Sequence, residues 1–121
     1  MKVLDTTFLV DVIRGKKETE AMLNSTDTLL TTQINMYEVL EGFFLKKITQ
    51  KKYLEVMQLF ENIRVLPLDD NAIIEAAKLS SSLIKEGNSI EDCDCLIAGI
   101  ALSKGITTIV TRNAKDFEKI K

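Results

Sequence analysis

A three-layer α/β/α domain around a central parallel sheet of four to five strands is the fold this sequence predicts. Short β-branched runs alternate with longer segments of helical periodicity along the whole chain. Strands separated by helices return parallel to one another through right-handed crossovers, which leaves both sheet faces covered. The chain has 121 residues, one proline and five scattered glycines, with no repeat, low-complexity stretch or linker. One domain over residues 1–121 is therefore expected. Apolar residues at 45 % and charged residues at 28 % give the balance of a globular rather than a disordered chain.

Lys2-Val3-Leu4 reads as the first strand, and a short helix from Phe8 to Arg14 stops at Gly15. Lys17 to Leu23 has the pattern of another helix. Thr28 to Thr31 is the second strand and leads into a helix from about Gln33 to Lys47. A helix near Lys51 to Asn62 follows, then a strand at Arg64 to Leu66 closed by Pro67. Asp69 and Asp70 cap a helix with Ile73, Ala76, Ala77, Leu83 and Ile84 at helical spacing, and Gly87 ends it as a C-cap glycine. Ser89-Ile90-Glu91-Asp92 reads as a capping box opening the next helix, which runs to about Gly105. Thr107 to Val110 is the fourth strand, and Asn113 to Phe117 reads as one more helical turn.

Several chemistries are excluded before any site is chosen. The sequence contains no histidine, which removes Ser-His-Asp and Cys-His triads, HExxH zinc sites and histidine acid–base catalysis. Cys93 and Cys95 lie two apart, about 200° around a helix, so they point to opposite sides and form neither a disulfide nor a zinc site. They read as buried structural thiols of a reducing compartment. The net charge of −2 supplies no global attraction for nucleic acid. Lys2, Val3 and Leu4 run straight into Asp5, giving no signal-peptide pattern, and the longest apolar run, Cys95 to Leu102, is too short to span a bilayer. A cytoplasmic protein with no membrane association is expected.

Four acids stand out from the solvated majority. Asp5 follows the first strand at its carboxyl end, where open α/β sheets place ligand crevices, although a plain N-cap role is open to it too. Glu38 lies in the apolar stretch Ile34 to Phe44 and shares a helical face with Glu41; it either faces a pocket or reaches solvent. Asp94 is placed beyond the first turn of its helix, on a face with Ile97, Ala98 and Ala101, where an unpaired carboxylate would cost several kcal/mol. The small residues Ala98, Gly99 and Ala101 allow another element to approach that helix closely. Asp116 follows the fourth strand, where Thr111 and Asn113 also offer oxygens.

Carboxylates gathered at one end of a sheet repel one another unless a positive charge neutralises them. A hard divalent cation, Mg²⁺ or Mn²⁺, takes oxygen ligands and is commonly held by a few carboxylates plus substrate phosphate. Without histidine, the reaction such a site supports is metal-assisted phosphodiester hydrolysis.

Five stretches in order resemble the PIN-domain family, in particular its VapC-type ribonuclease toxins. They are Val3 to Asp11; Tyr37-Glu38-Val39-Leu40-Glu41-Gly42; Val65 to Asp69; Asp94 to Ala101; and Ile109 to Phe117. The resemblance covers nearly the whole chain. It implies a metal-dependent ribonuclease acting as the toxin of a type II toxin–antitoxin pair. It places acidic ligands at Asp5, Glu38 and Asp94, with a fourth position at Asp116 or at Asn113, and a supporting hydroxyl at Thr6 or Thr7. It also implies an RNA substrate, a homodimer and a cognate antitoxin that holds the enzyme inactive. Lys46-Lys47, Lys51-Lys52, Arg112 and Lys115 are candidate phosphate contacts, each pair being equally readable as a solvated helix face. The chain ends four residues after Phe117, where many relatives add a strand, so Thr107 to Val110 is expected at a sheet edge.

Competing readings fit less well. A phosphate-accepting receiver domain wants two adjacent acids after the first strand, and a haloacid-dehalogenase-like phosphatase wants Asp-x-Asp there. Asp5-Thr6-Thr7 supplies neither. A PIN fold decayed into a binding module is the remaining rival, against which stands the presence of Asp5, Glu38 and Asp94 together.

Overall fold

A computed structural model describes residues 1–19 and 28–110. Its strands are β1 (Lys2–Leu4), β2 (Leu29–Thr32), β3 (Arg64–Leu66) and β4 (Ile109–Val110). Its helices are α1 (Thr6–Ile13), α2 (Gln33–Leu45), α3 (Gln50–Asn62), α4 (Asp70–Lys85) and α5 (Asp92–Ser103), with a 3₁₀ turn at Lys17–Thr19. The sheet order is β3-β2-β1-β4 and every pairing is parallel. Val3 is the register anchor: it aligns with Leu30 on one side and Ile109 on the other.

Each strand divides its apolar side chains between two cores, as a period of two requires. Val3, Leu30 and Leu66 face one side with Ala72, Ile97, Ile100 and Ala101 from α4 and α5. Leu4 faces the other with Leu9, Val39, Val56 and Phe60 from α1, α2 and α3. That is the predicted three-layer arrangement. The chain steps from β1 to β2 to β3 in one direction and then returns to the far side of β1 as β4. Such a reversal opens a crevice at the carboxyl ends of the strands flanking it. Asp5 stands there, its N–H donating to the Val110 carbonyl at 3.0 Å.

Most predicted elements stand within a residue or two of their expected bounds, and β4 is an edge strand among the described residues. The segment expected as a helix at Lys17 to Leu23 is described only at its 3₁₀ turn, and the turn expected at Asn113 to Phe117 lies outside the described residues. The buried face of α4 is Ala72, Ala76 and Leu83, whereas Ile73 and Ile84 are exposed, as is Ala77. Ala72 and Ala76 are small because α5 lies so close to them. At Gly99 an added Cβ would sit 2.6 Å from the Ala76 Cβ. The helix ends as expected: Gly87 takes φ +74°, with the Asn88 N–H donating to the Leu83 carbonyl.

The expected capping box does not form. The N-cap of α5 is Glu91, which makes no side-chain cap bond, and Asp92 is the first helical residue. Asp94 consequently lies in the first turn rather than beyond it. Both acids there lie at the positive dipole end of the helix, which favours carboxylates without any Ser89 cap.

Candidate active site

Asp5 occupies the N-cap position of α1, but its carboxylate makes no capping hydrogen bond. The side chain is buried, and its Oδ1 instead accepts from Asn35 Nδ2 at 3.0 Å. Capping of α1 is therefore not what this carboxylate does in the structure. Thr6, one residue on, donates its hydroxyl to Glu38 Oε1 at 2.7 Å while accepting from Asn35 Nδ2 at 3.1 Å. A continuous set of hydrogen bonds therefore links the β1–α1 junction to α2 and holds Asp5 and Glu38 in one network.

Glu38 and Glu41 diverge in this setting. Glu41 is exposed and accepts from the Tyr37 hydroxyl at 2.9 Å, whereas Glu38 turns inward and is half-buried. Burial pushes the Glu38 carboxyl above its ordinary range, and the charges of Asp5, Glu41 and Glu91 add to the rise; the Thr6 hydroxyl opposes it. Repulsion between Asp5 and Glu38 is the condition a bound cation would relieve.

Asp94 is half-buried in the first turn of α5, and Ile97, Ala98 and Ala101 behind it are buried as expected. Helices α2 and α5 pack together, and Cys93 marks the junction: burial raises its thiol, with the charges of Glu38 and Asp94 the next causes. Cys93 is thus half-buried beside the acids rather than a core thiol, while Cys95 is buried on the other side against Ser80. Both are free thiols, as their spacing predicts.

The donor set is carboxylate and hydroxyl oxygen, which fits a hard divalent cation. Among the described residues, no group of three or more His, Cys, Asp or Glu side chains is arranged to hold a metal by itself. The structure brings Asp5, Thr6 and Glu38 together and sets Asp94 on the adjoining helix. Asp116 and Asn113, with Arg112 and Lys115, lie outside the described residues.

Two features escaped the sequence reading. Asn35, wholly buried, is the hub of the network; the capping-like spacing Thr32-x-x-Asn35 was its signal. Arg14 is the other. Together with Lys46 and Glu38 it lines a cleft of about 110 Å³ floored by Val10, Val39 and Phe43.

A PIN-domain family profile matches residues 2–121. The chain belongs to the PIN-domain family. This PIN domain is 29 % identical over 121 residues to the tRNA(fMet)-specific endonuclease VapC of Salmonella typhimurium, covering 98 % of this chain and 90 % of that one. It is 28 % identical over 120 residues to Ribonuclease VapC1 of Methanocaldococcus jannaschii, covering 98 % and 80 %. In fold, it superposes with a TM-score of 0.88 on VapBC2 from Rickettsia felis bound to a promoter DNA fragment, at 21 % identity over 98 % of this chain and 92 % of that one. DNA-bound VapBC from Salmonella typhimurium gives 0.82 at 26 % identity, over 97 % and 89 %.

Proposed function

We propose that this PIN domain is a divalent-cation-dependent ribonuclease, the toxin of a cytoplasmic toxin–antitoxin pair. The observation that carries the reading is the buried Asp5 joined through Thr6 to the half-buried Glu38 at the crevice end of the sheet. Asp5, Glu38 and Asp94 would hold Mg²⁺ or Mn²⁺, with Asp116 or Asn113 as the fourth position, and waters or substrate oxygens completing the shell. The chemistry a cation held there would supply is activation of water and stabilisation of charge on the phosphate.

The chain's own residues do the rest. Asp5 and Glu38 are kept as acceptors by the donors of Asn35 and Thr6. Thr6 holds the Glu38 carboxylate by a single short bond, fixing which oxygen faces the network. Arg14 and Lys46 border the cleft beside Glu38 and would bind flanking RNA phosphates, which offsets a net charge of −2. Relatives named as ribonucleases and endonucleases support RNA as the substrate.

A cognate antitoxin is the proposed protein partner, since the fold neighbours were solved as VapBC complexes. A homodimer is proposed with it. Tyr37, Phe44 and Leu45 on α2 and Leu54 on α3 are exposed apolar side chains that suit such contacts. No helix among the described residues is long and apolar enough to cross a membrane.

Titrating Mn²⁺ into the purified protein tests the site against the rival reading of a decayed binding module. Saturable binding that is lost in both Asp5→Asn and Glu38→Gln supports a working metal site. Binding that neither substitution alters leaves the decayed module as the better account.

A further inference from the structure

We infer that Asn35 is the positioning residue of the acidic site, setting where Asp5 and Glu38 stand relative to each other. The inference rests on the proposed metal site and concerns a side chain with no assigned role. Asn35 is wholly buried, so every polar atom of its carboxamide must find a partner within the protein. Its Oδ1 accepts from the Thr32 hydroxyl at 2.7 Å. Its Nδ2 donates to Asp5 Oδ1 at 3.0 Å and to Thr6 Oγ1 at 3.1 Å. Thr6 in turn donates its hydroxyl to Glu38 Oε1 at 2.7 Å.

The direction of this chain is fixed from one end. Thr32 has a single hydroxyl proton, and its oxygen already accepts from the Asn35 backbone N–H at 3.2 Å. That proton points at the carboxamide oxygen, because the Asp5 carboxylate, which only accepts, takes the NH₂ group at the other end. Flipping the carboxamide would set its oxygen against the Asp5 carboxylate, an arrangement of two acceptors with no proton between them. Every donor in the series consequently runs toward the two acids. Asn35 and Glu38 are three residues apart on α2, so they share a helix face, while Asp5 and Thr6 come from the β1–α1 junction. Asn35 is the tie between these elements, and a cation that demands close octahedral geometry is sensitive to their spacing.

Thr32 makes the test possible from outside the site, because among the described residues its hydroxyl bonds Asn35 and neither acid. Thr32→Val removes the proton that orients the carboxamide and keeps the side chain's shape; Thr32→Ser keeps the hydroxyl. Asn35→Leu removes the carboxamide itself. For each purified variant three quantities are read: the Mn²⁺ dissociation constant of initially metal-free protein, kcat and KM on RNA at saturating Mn²⁺, and the melting temperature.

Thr32→Val and Asn35→Leu should weaken Mn²⁺ binding by about 10-fold or more, the scale on which residues behind metal ligands act. They should lower kcat more than they raise KM, and Thr32→Ser should restore both. Should Asn35→Leu not fold, the Thr32 pair gives the same readout. Variants that melt lower yet keep the wild-type Mn²⁺ constant and kcat would overturn the inference, leaving Asn35 a structural residue. Asp5→Asn separates this failure from that of the site: Mn²⁺ binding lost in Asp5→Asn but intact in Thr32→Val refutes only the role of Asn35. Binding intact in both refutes the metal site as well.

Discussion

Replacing Gly99 by alanine should loosen the contact that sets Asp94 in place. A Cβ there would lie 2.6 Å from the Ala76 Cβ and 2.7 Å from both the Ala72 carbonyl oxygen and the Ala76 amide nitrogen. Two of those three atoms are backbone, so relief requires α4 and α5 to separate rather than a side chain to turn. Overpacking of this kind costs about 3 kcal/mol at the upper end of its usual range. The better helix propensity of alanine returns about 1 kcal/mol, which leaves a net loss of about 2 kcal/mol. Unfolding entropy of about 2.1 cal/mol/K per residue over 121 residues converts this to a fall in Tm of about 8 °C.

Gly42 provides the opposite case on the same substitution. It also lies inside a helix, but nothing stands within 4 Å of an added Cβ. Gly42→Ala should therefore gain about 1 kcal/mol. Thermal melts of both variants without added cation are the assay. A Gly99→Ala protein that melts at or above the wild-type temperature would refute the close-approach argument. So would two variants shifting in the same direction.

Three further outcomes follow from the site. Burial, reinforced by Asp5, Glu41 and Glu91, raises the Glu38 carboxyl above its ordinary value. Between the unfolded pKa and this higher folded one the native state keeps a proton the unfolded chain has released, so metal-free stability falls as pH rises through that window. Glu38→Gln should accordingly melt above wild type at neutral pH and equal to it below the ordinary carboxylate range; melting curves that stay parallel throughout would count against this. Asp94→Asn should abolish cation-dependent RNA cleavage while changing metal-free stability by no more than about 1 kcal/mol, since relief of repulsion and loss of a favourable helix-end charge oppose each other. An active but strongly destabilised variant would remove Asp94 from the site. Arg14→Glu and Lys46→Glu should each weaken RNA binding and reduce its dependence on log salt by about 0.7 per lost phosphate contact, measured by binding isotherms at several salt concentrations.

The parts of this fold legible in the sequence are those governed by local chemistry. β3 falls at Arg64–Leu66, directly ahead of Pro67, as expected, and Asp69 caps α4 by accepting from the Ala72 N–H. Ala98, Gly99 and Ala101 announced a close neighbour, which is α4. What escaped depends on which alternative the tertiary structure selects. Helical spacing identifies a stripe but not which of a helix's apolar residues face the core, hence the exposed Ile73 and Ile84. Ser89 has the right spacing for a cap, yet the helix opens one residue after Glu91, so Asp92 and Asp94 stand in its first turn. α2 stops at Leu45 because Lys47 takes a left-handed φ of +51°, a conformation that glycine would have advertised and lysine conceals. Spacing alone allows Asp5 to cap α1, and only the tertiary structure shows its carboxylate bonded to Asn35 instead of the helix N–H groups. A buried asparagine in an apolar helix carries little signal by itself; it gains meaning only once β1 delivers Asp5 and Thr6 to it.

The most direct test of the central claim is cleavage of single-stranded RNA by the purified protein in Mn²⁺, in chelator, and with Asp5→Asn in Mn²⁺. The proposed site predicts cleavage in the first case alone, with Asp5→Asn shown to be folded by its melting curve. Cleavage that persists in chelator or in a folded Asp5→Asn protein would contradict a carboxylate-held cation as the centre of the reaction.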